Sequence, residues 1–368
     1  MKKLLLASLL LPGLAFCQMK TLAASSNLVD IKDGEDLKKG QWTIMPEVNP
    51  DVFTTNNEKV TFITDKESVT VKLKAGEKYD FVVLLNGKEA HTRIERVPDY
   101  IDRLKKAAKY NTSDNRSVPA FTYQDMNDPN LVKLRKDYNL DSIAGQGNEA
   151  SKMINLMHWV HNTIRHDGSS NNPDGRNADN IIKVCKNEGR GVNCRMMATV
   201  LNECYLAMGF KSRYITCMPK ELKFDDCHVI NMVYSNELNK WIWMDPTFDA
   251  YVMDEKGTLL SVEEVRERLV KNKPLILNPD ANWNRRSSQT KDYYLDYYMA
   301  KNLYRIQAVS YSCYDSETEN STKEIAMTEL LPLDGLNQSP QKKEIALGSG
   351  TKFIQYITNN PATFWAKP

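Results

Sequence analysis

The chain has 368 residues, of which 41% are hydrophobic, and it carries 49 basic against 47 acidic side chains. This length allows two domains, and the hydrophobic fraction is typical of a globular protein. A net charge close to zero provides no electrostatic attraction for a nucleic acid or an anionic membrane, so neither is expected as a partner.

The first residues have the pattern of an export signal. Lys2 and Lys3 precede a short apolar segment over 4–14, and Ala15 and Cys17 stand at the −3 and −1 positions of a cleavage site. We therefore expect a signal peptide over residues 1–17. The mature chain is expected outside the cytoplasm, either periplasmic or secreted.

Lipid attachment at Cys17 is an alternative, although the bulky Phe16 before it disfavours a lipoprotein signal. The apolar segment 4–14 is too short to cross a bilayer. No later stretch reaches the roughly 18 apolar residues that a membrane helix needs, so no transmembrane segment is expected.

Residues 25–97 have the short alternating patterns of β-strands, for example over 60–64 and 69–73. The clearest is a hairpin in which strands over 79–85 and 88–94 flank Asn86 and Gly87. Both residues tolerate the positive φ of a two-residue primed turn. Several short strands in about 70 residues favour a small β-sandwich-like accessory domain, which either supports the rest of the protein or docks substrate.

Pro98 marks a boundary, and residues 98–148 are predicted to be a helical and irregular connecting segment. Apolar residues then recur at helical spacing over 149–164, which predicts a helix. The following loop, over 167–177, is rich in Ser, Asn, Pro and Gly. A loop of this kind near a catalytic centre could border its cleft.

A second helix is predicted over 194–208, and Gly209 is its stop signal. The later segments alternate between strand and helix patterns. Strands are expected over 212–217, 228–234, 240–244, 304–311 and 323–330, a turn and helix over 257–270, and a last helical turn at Asn360-Pro361.

Three residues have the order and local setting of a thiol active site. Cys194 opens a helix after Asn193, His228 begins a strand, and Asp245 ends another. The N-cap Asn193 and the helix dipole favour a thiolate at Cys194. His228 can take the thiol proton, and Asp245 can fix the tautomer of His228 and stabilise its imidazolium. Each residue alone has an ordinary structural explanation, whereas the combination predicts a catalytic Cys-His-Asp triad. The backbone N–H of Cys194 is a natural oxyanion donor, and a second donor is not identified.

The other cysteines and histidines predict no metal site or cofactor. The cysteine spacings match no zinc pattern. His158 and His161 are three residues apart, but no carboxylate stands at a matching step, so they and His166 are expected to be solvated. A disulfide between Cys217 and Cys227 stays open, because pairing cannot be deduced from sequence. Buried free thiols are favoured for most cysteines.

The segment from about 178 to 249 resembles the transglutaminase-like superfamily, a branch of the papain-like thiol enzymes. The resemblance lies in four blocks: 191–198 (GVNCRMMA), 208–214 (MGFKSRY), His228, and 241–247 (WIWMDPT). It implies that Cys194 is the nucleophile, His228 the base and Asp245 the orienting carboxylate. It also implies an α+β fold with a helix packed on an antiparallel sheet, which we expect to form a catalytic domain over 149–368.

Two positions depart from the family pattern. Ile230 stands where many members have Trp, and Val192 stands where many have Gly, with Gly191 one position earlier. Neither change removes a triad residue, but both affect the walls of the cleft. Trp159 could stabilise an oxyanion, as a tryptophan does in cross-linking members, but core packing is favoured for it.

Together these features predict an exported cysteine enzyme that cleaves amide bonds of a protein or cell-wall peptide through a thioester. Hydrolysis is favoured because water is the abundant acceptor. The alternatives are a glutamine acyl transferase that cross-links proteins, and a non-catalytic binding protein that retains the fold.

Overall fold

The computed structural model describes residues 19–97, 99–107, 109–224 and 226–368. The predicted signal peptide, Cys17, Pro98 and Asp225 lie outside the described residues. Two compact units are present, one up to Asp99 and the other from Tyr100 onwards. Within the described ranges, no helix is both long and apolar enough to cross a membrane.

Over residues 19–97 the N-terminal unit forms two four-stranded sheets, with strand orders β1-β7-β8-β4 and β3-β2-β5-β6. The strands are β1 Lys20–Ala24, β2 Leu28–Asp33, β3 Asp36–Thr43, β4 Asp51–Thr55, β5 Lys59–Ile63, β6 Ser68–Lys72, β7 Lys78–Leu85 and β8 Lys88–Arg96.

One hydrophobic core joins the inner faces of these two sheets. Buried and exposed positions alternate along β2 and β5, so every second side chain points into this core. Phe62 on β5 and Phe81 on β7 meet edge to face with ring centroids 5.1 Å apart. Both rings are almost completely buried, so they lie in the interior of this core.

The predicted hairpin is confirmed. Leu85 pairs with Lys88 across the turn, and Asn86 and Gly87 have φ values of 49° and 83°. The unit begins earlier than predicted, because β1 starts at Lys20 and pairs in parallel with β7. Only two of the five residues of β1 are buried, and this alternation is too short to predict a strand from sequence. The strand is defined by its pairing with β7, which lies far along the chain.

In the C-terminal unit the described residues form a seven-stranded sheet of order β12-β11-β10-β17-β19-β21-β20, with helices around it. Its neighbouring strands are antiparallel except β19 and β21. This mixture of helices and strands agrees with the predicted α+β class. The helices are α1 Tyr100–Lys106, α2 Pro129–Asp137, α3 Leu140–Ala144, α4 Glu149–Thr163, α5 Ala178–Glu188, α6 Cys194–Ala207, α7 Val262–Val270, α8 Ala300–Asn302 and α9 Pro361–Phe364, with a π-helix at Asp292–Met299.

The strands of this unit are β9 Thr122–Tyr123, β10 Ser212–Met218, β11 His228–Ser235, β12 Lys240–Met244, β13 Val252–Met253, β14 Ile276–Leu277, β15 Asn282–Trp283, β16 Ser287–Ser288, β17 Arg305–Val309, β18 Tyr311–Ser312, β19 Glu324–Leu330, β20 Lys342–Ala346 and β21 Lys352–Thr358.

Helix α6 is the centre of the C-terminal unit. It packs on β10 and β11 and is surrounded by α2, α4 and α5. Every residue from Met196 to Ala207 is buried. The chain leaves the helix through Gly209, whose φ is 83°. This packing fixes the first turn of α6 relative to the sheet.

Two parts of the C-terminal unit differ from the predictions. Residues 98–148 do not simply connect the units, because Leu131, Leu134, Leu140 and Ala144 of α2 and α3 are buried in the core around α6. The edge strand β20 and its neighbour β21 were not predicted. All five residues of β20 are exposed, so this strand has no apolar alternation to reveal it.

Candidate active site

Cys194 is the first residue of α6. The side chain of Asn193 caps the helix by accepting a hydrogen bond from the N–H of Met196 at 3.1 Å. The amide of Asn193 also donates to Oδ1 of Asn172 at 2.7 Å. The cap therefore holds the predicted loop 167–177 beside the start of the helix.

Gly191 allows two chain segments to meet at this point. A Cβ at position 191 would lie 2.6 Å from the carbonyl oxygen of Arg165. The N–H of Val192 donates to that oxygen at 3.0 Å, and the N–H of Asp167 donates to the carbonyl of Val192 at 2.8 Å. This short parallel bridge brings His166 next to Cys194.

His228 is the first residue of β11 and is 1% exposed. Its Nε2 is 2.7 Å from Oδ2 of Asp245, and its ring is in hydrogen-bonding contact with the thiol of Cys194. The imidazole packs against the rings of Phe248 and Tyr298, at centroid distances of 5.4 and 5.3 Å, and those two rings also contact each other at 5.7 Å. With Nε2 on the carboxylate, Nδ1 is the nitrogen that faces the sulfur.

Asp245 is fully buried and lies one residue beyond the end of β12, where it forms a bridge with Ala250. Its Oδ1 accepts hydrogen bonds from the N–H groups of Thr247 and Phe248 at 2.9 and 3.3 Å. Its Oδ2 accepts from the hydroxyl of Tyr294 at 2.6 Å as well as facing His228. Both carboxylate oxygens are therefore held in fixed positions.

Tyr294 was not identified from sequence. It lies on the π-helix, and its hydroxyl accepts a hydrogen bond from Nε1 of Trp243 at 3.2 Å while it donates to Asp245. Burial, together with the negative charge of Asp245, raises the pKa of Tyr294 well above its usual range. The phenol consequently stays protonated and remains a donor.

The electrostatic setting favours a thiolate–imidazolium pair. Burial alone would raise the pKa of Cys194. Hydrogen bonds from His166 and His228, the charge of His228 and the N–H of Val229 outweigh it and lower that pKa to about 6. Burial likewise opposes the charge on His228, but Asp245 and the thiol raise the pKa of His228 to about 10.

The structure brings all three predicted residues together, and it adds a second histidine. His166 is in hydrogen-bonding contact with the sulfur of Cys194. Its Nδ1 lies 3.2 Å from Nε1 of Trp283. The expectation that His166 is merely solvated was therefore incomplete. Its only sequence signal was its position at the border of the loop 167–177.

The other predicted histidine positions have structural partners. His161 is buried rather than solvated, because its two ring nitrogens contact the carbonyl of Pro246 and Oδ1 of Asn282, each at 2.9 Å. His158 pairs with Asp249 at 2.6 Å. No group of three or more potential metal ligands occurs in the part of the chain that the structure describes.

Several minor candidates are also accounted for. Asp226, two residues before His228, pairs with Lys301. Trp159 packs against Tyr138 with ring centroids 5.8 Å apart, as core packing requires. Cys217 and Cys227 are free thiols.

A cavity of about 340 Å³ is lined by one residue that contacts each imidazole, although neither imidazole lines it. Phe248, which contacts His228, forms one wall, and Trp283, which contacts His166, forms another. The remaining lining is mostly hydroxyl and amide groups, contributed by Ser287, Ser288, Gln289, Thr290 and Tyr293.

Part of the C-terminal unit is similar to a known protein family. Residues 136–246 match the family model of the transglutaminase-like superfamily, a range that includes Cys194, His228 and Asp245. A search of curated proteins found no match. The solved structures similar to this chain include that of a putative cysteine protease from Cytophaga hutchinsonii, with 22% identity and a TM-score of 0.26. That similarity covers 32% of this chain and 37% of the other.

Proposed function

The chain contains a domain of the transglutaminase-like superfamily, and we propose that it is a cysteine enzyme that cleaves amide bonds through Cys194, His228 and Asp245. One observation carries the proposal. The buried imidazole of His228 contacts the thiol of Cys194 on one side and the carboxylate of Asp245 on the other. This is the arrangement that activates a nucleophile and returns its proton.

In the first half-reaction the thiolate of Cys194 attacks the amide carbonyl carbon. A C–S bond forms, and the carbonyl electrons move onto oxygen. The backbone N–H of Cys194, at the start of α6, is positioned to stabilise that oxyanion. As the C–N bond breaks, Nδ1 of His228 gives its proton to the leaving amine. A thioester on Cys194 remains.

In the second half-reaction Nδ1 of His228 accepts a proton from water, and the resulting hydroxide attacks the thioester. The C–S bond then breaks, the acid product leaves, and the thiolate–imidazolium pair is restored. Asp245 supports both steps because it holds the proton on Nε2 of His228 and stabilises the imidazolium.

The cavity lined by Phe248 and Trp283 is the proposed site for a side chain of the substrate. Trp283 and Tyr293 on its walls are 37% and 51% exposed, so both can contact a bound peptide. The serine, threonine and glutamine groups of the lining suit a polar chain. Together with the export signal expected from the sequence, this supports a protein or cell-wall peptide outside the cytoplasm as substrate.

For the N-terminal unit we propose a sandwich-like accessory domain. Two four-stranded sheets that share one core support this arrangement.

The proposal is tested by brief alkylation of the full chain with iodoacetamide over a range of pH, followed by peptide mapping. Cys194 should react fastest, because its thiolate persists down to pH about 6. The matched comparison is Cys313, since burial raises the pKa of that thiol to about 11. Cys194→Ser should remove the fast labelling and all peptide cleavage.

Product analysis separates the remaining functions. Hydrolysis releases the acid product from a peptide substrate, whereas a transferase joins an added primary amine to the acyl group. If Cys194 labels no faster than Cys313 and titrates as an ordinary thiol near pH 8.5, the chain is a binding protein and not an enzyme.

A further inference from the structure

We propose that His166 donates a hydrogen bond from its Nε2–H to the sulfur of Cys194, in addition to His228 and the N–H of Val229, and that Trp283 selects the tautomer of His166 that makes this possible. The proposal rests on the proposed function, in which Cys194 acts as a thiolate. It gives His166 a role distinct from that of His228: it holds the anion and does not exchange a proton with the substrate.

The tautomer follows from the partner of the ring. Nε1 of Trp283 lies 3.2 Å from Nδ1 of His166. An indole N–H can only donate, so Nδ1 must be the acceptor and carries no proton. An imidazole without a proton on Nδ1 is neutral and protonated at Nε2. That leaves Nε2–H as the group that contacts the sulfur of Cys194.

Hydrogen bonds of the His166 backbone hold its imidazole in place. The N–H of His166 donates to Oδ1 of Asn284 at 2.7 Å, and its carbonyl accepts from Nδ2 of Asn284 at 3.0 Å. The bridge to Val192, which Gly191 makes possible, fixes the same residue against the start of α6. A donor with this support needs no reorganisation when the thiolate forms.

The two histidines differ in what surrounds them. His228 is paired with a buried carboxylate and has a raised pKa, so it can hold a second proton and pass it on. His166 faces an indole N–H donor at Nδ1, so that nitrogen acts as an acceptor. The Nε2–H of His166 therefore faces the thiolate before it attacks the substrate, and again when the C–S bond of the thioester breaks and the thiolate is restored.

The other groups around the sulfur do not replace this donor. The N–H of Val229 contacts it, and Tyr298 and Cys227 lie near enough to interact with its charge. Arg195 is next in sequence, but its guanidinium donates to Glu317 and Thr216 instead.

The experiment compares four variants of the full chain, His166→Phe, His166→Gln, Trp283→Phe and the control His91→Phe, on strand β8 of the N-terminal unit. The readout is the pH dependence of Cys194 alkylation. His166→Phe should raise the apparent pKa of Cys194 by about one unit, which leaves roughly tenfold less thiolate below that pKa. His166→Gln, which keeps an N–H donor, should recover part of the shift, and His91→Phe should cause none.

Trp283→Phe keeps an aromatic ring but removes the N–H, so it should cause a smaller rise than His166→Phe. Nitrogen-15 NMR of the wild-type chain should show a proton on Nε2 of His166 and none on Nδ1. In the Trp283→Phe variant both tautomers should be present. Circular dichroism establishes that each variant is folded.

The possible failures are distinguishable. If wild-type Cys194 has an ordinary thiol pKa, the proposed function itself is wrong. If wild-type Cys194 has a lowered pKa and a folded His166→Phe leaves it unchanged, the proposed function stands and the role of His166 is overturned. A proton found on Nδ1 of His166 in the wild type also overturns it.

Discussion

Each unit of the molecule contains a buried aspartate, and the two aspartates differ in the partners of their carboxylates. Asp33 in the N-terminal unit accepts from Lys38, Thr55 and Asn57 at 2.8, 2.5 and 3.1 Å. Asp245 in the C-terminal unit faces His228, and His228 in turn contacts the thiol of Cys194. The carboxylate of Asp33 pairs with Lys38, whose side chain is 39% exposed. The carboxylate of Asp245 is instead linked through His228 to the nucleophile Cys194.

A buried carboxylate is thus not by itself a sign of catalysis. Burial raises the pKa of Asp33, but its hydrogen bonds and the charge of Lys38 outweigh burial and lower that pKa below the usual value. The result is a stable ion pair that secures local structure. At Asp245 the partner is a titratable imidazole, so the same interaction can drive proton transfer.

The largest effect is expected for Asp245→Asn, which should reduce peptide cleavage about 10³-fold. The amide keeps an oxygen for the N–H groups of Thr247 and Phe248 but no longer stabilises the imidazolium of His228. The pKa of His228 should fall from about 10. As pH rises, His228 should therefore lose its proton, and the thiolate–imidazolium pair should disappear, at a lower pH than in the wild type. Activity and alkylation are measured against pH, with thermal unfolding as the control. Unchanged activity would show that Asp245, like Asp33, is only structural.

Phe62→Ala should destabilise the N-terminal unit by about 3 kcal/mol or more, because it leaves a cavity between the two sheets. Phe62 belongs to the core of that unit and contacts Phe81 there. Hydrogen exchange should report faster opening of β5 and β7, while labelling of Cys194 stays at the wild-type rate. A parallel loss of Cys194 reactivity would contradict the separation of the two cores.

Asp33→Asn should cost about 2 kcal/mol of stability at neutral pH and leave activity unchanged, because it removes the charge that Lys38 faces. The folded pKa of Asp33 is lowered, so its contribution is present above the unfolded value near 4 and is lost as pH falls through the folded pKa. Urea unfolding of the wild type and variant at pH 7 and pH 3 checks this. The difference between them should shrink at the lower pH.

Tyr294→Phe should lower activity about tenfold, since it removes one donor to Asp245 and leaves His228 in place. Tyr311→Phe is the matched control, because Tyr311 is an exposed tyrosine that does not line the proposed substrate cavity. The ratio of the two variants' kcat values is the decisive quantity. Equal kcat values would mean that the hydroxyl of Tyr294 packs beside Asp245 without affecting the role of Asp245 in catalysis.

The sequence predicted those features that depend on neighbours in the chain. The hairpin at Asn86-Gly87 follows from local turn preferences, and Cys194, His228 and Asp245 stood out because each has a characteristic local setting. His166 and Tyr294 did not, because their partners are distant. Trp283 is 117 residues from His166, and Tyr294 is 49 residues from Asp245. Only the folded arrangement of the loops and the π-helix reveals these pairs.

The same reason explains the errors in the fold. The helices over 129–144 carry few apolar residues each, so their burial against α6 depends on a surface formed elsewhere. His161 is polar by type, yet its two ring nitrogens contact oxygens of residues 246 and 282 in the interior. Position alone could not distinguish it from a solvated histidine.

The burial of α6 has a consequence for engineering new specificity. The nucleophile begins the helix whose residues 196–207 are all inside the protein, so changes there would alter stability before selectivity. By contrast, Trp283, the residues over 287–290 and Tyr293 line the cavity from outside that core. Libraries that diversify this rim and leave α6 intact offer the direct route to altered substrate preference.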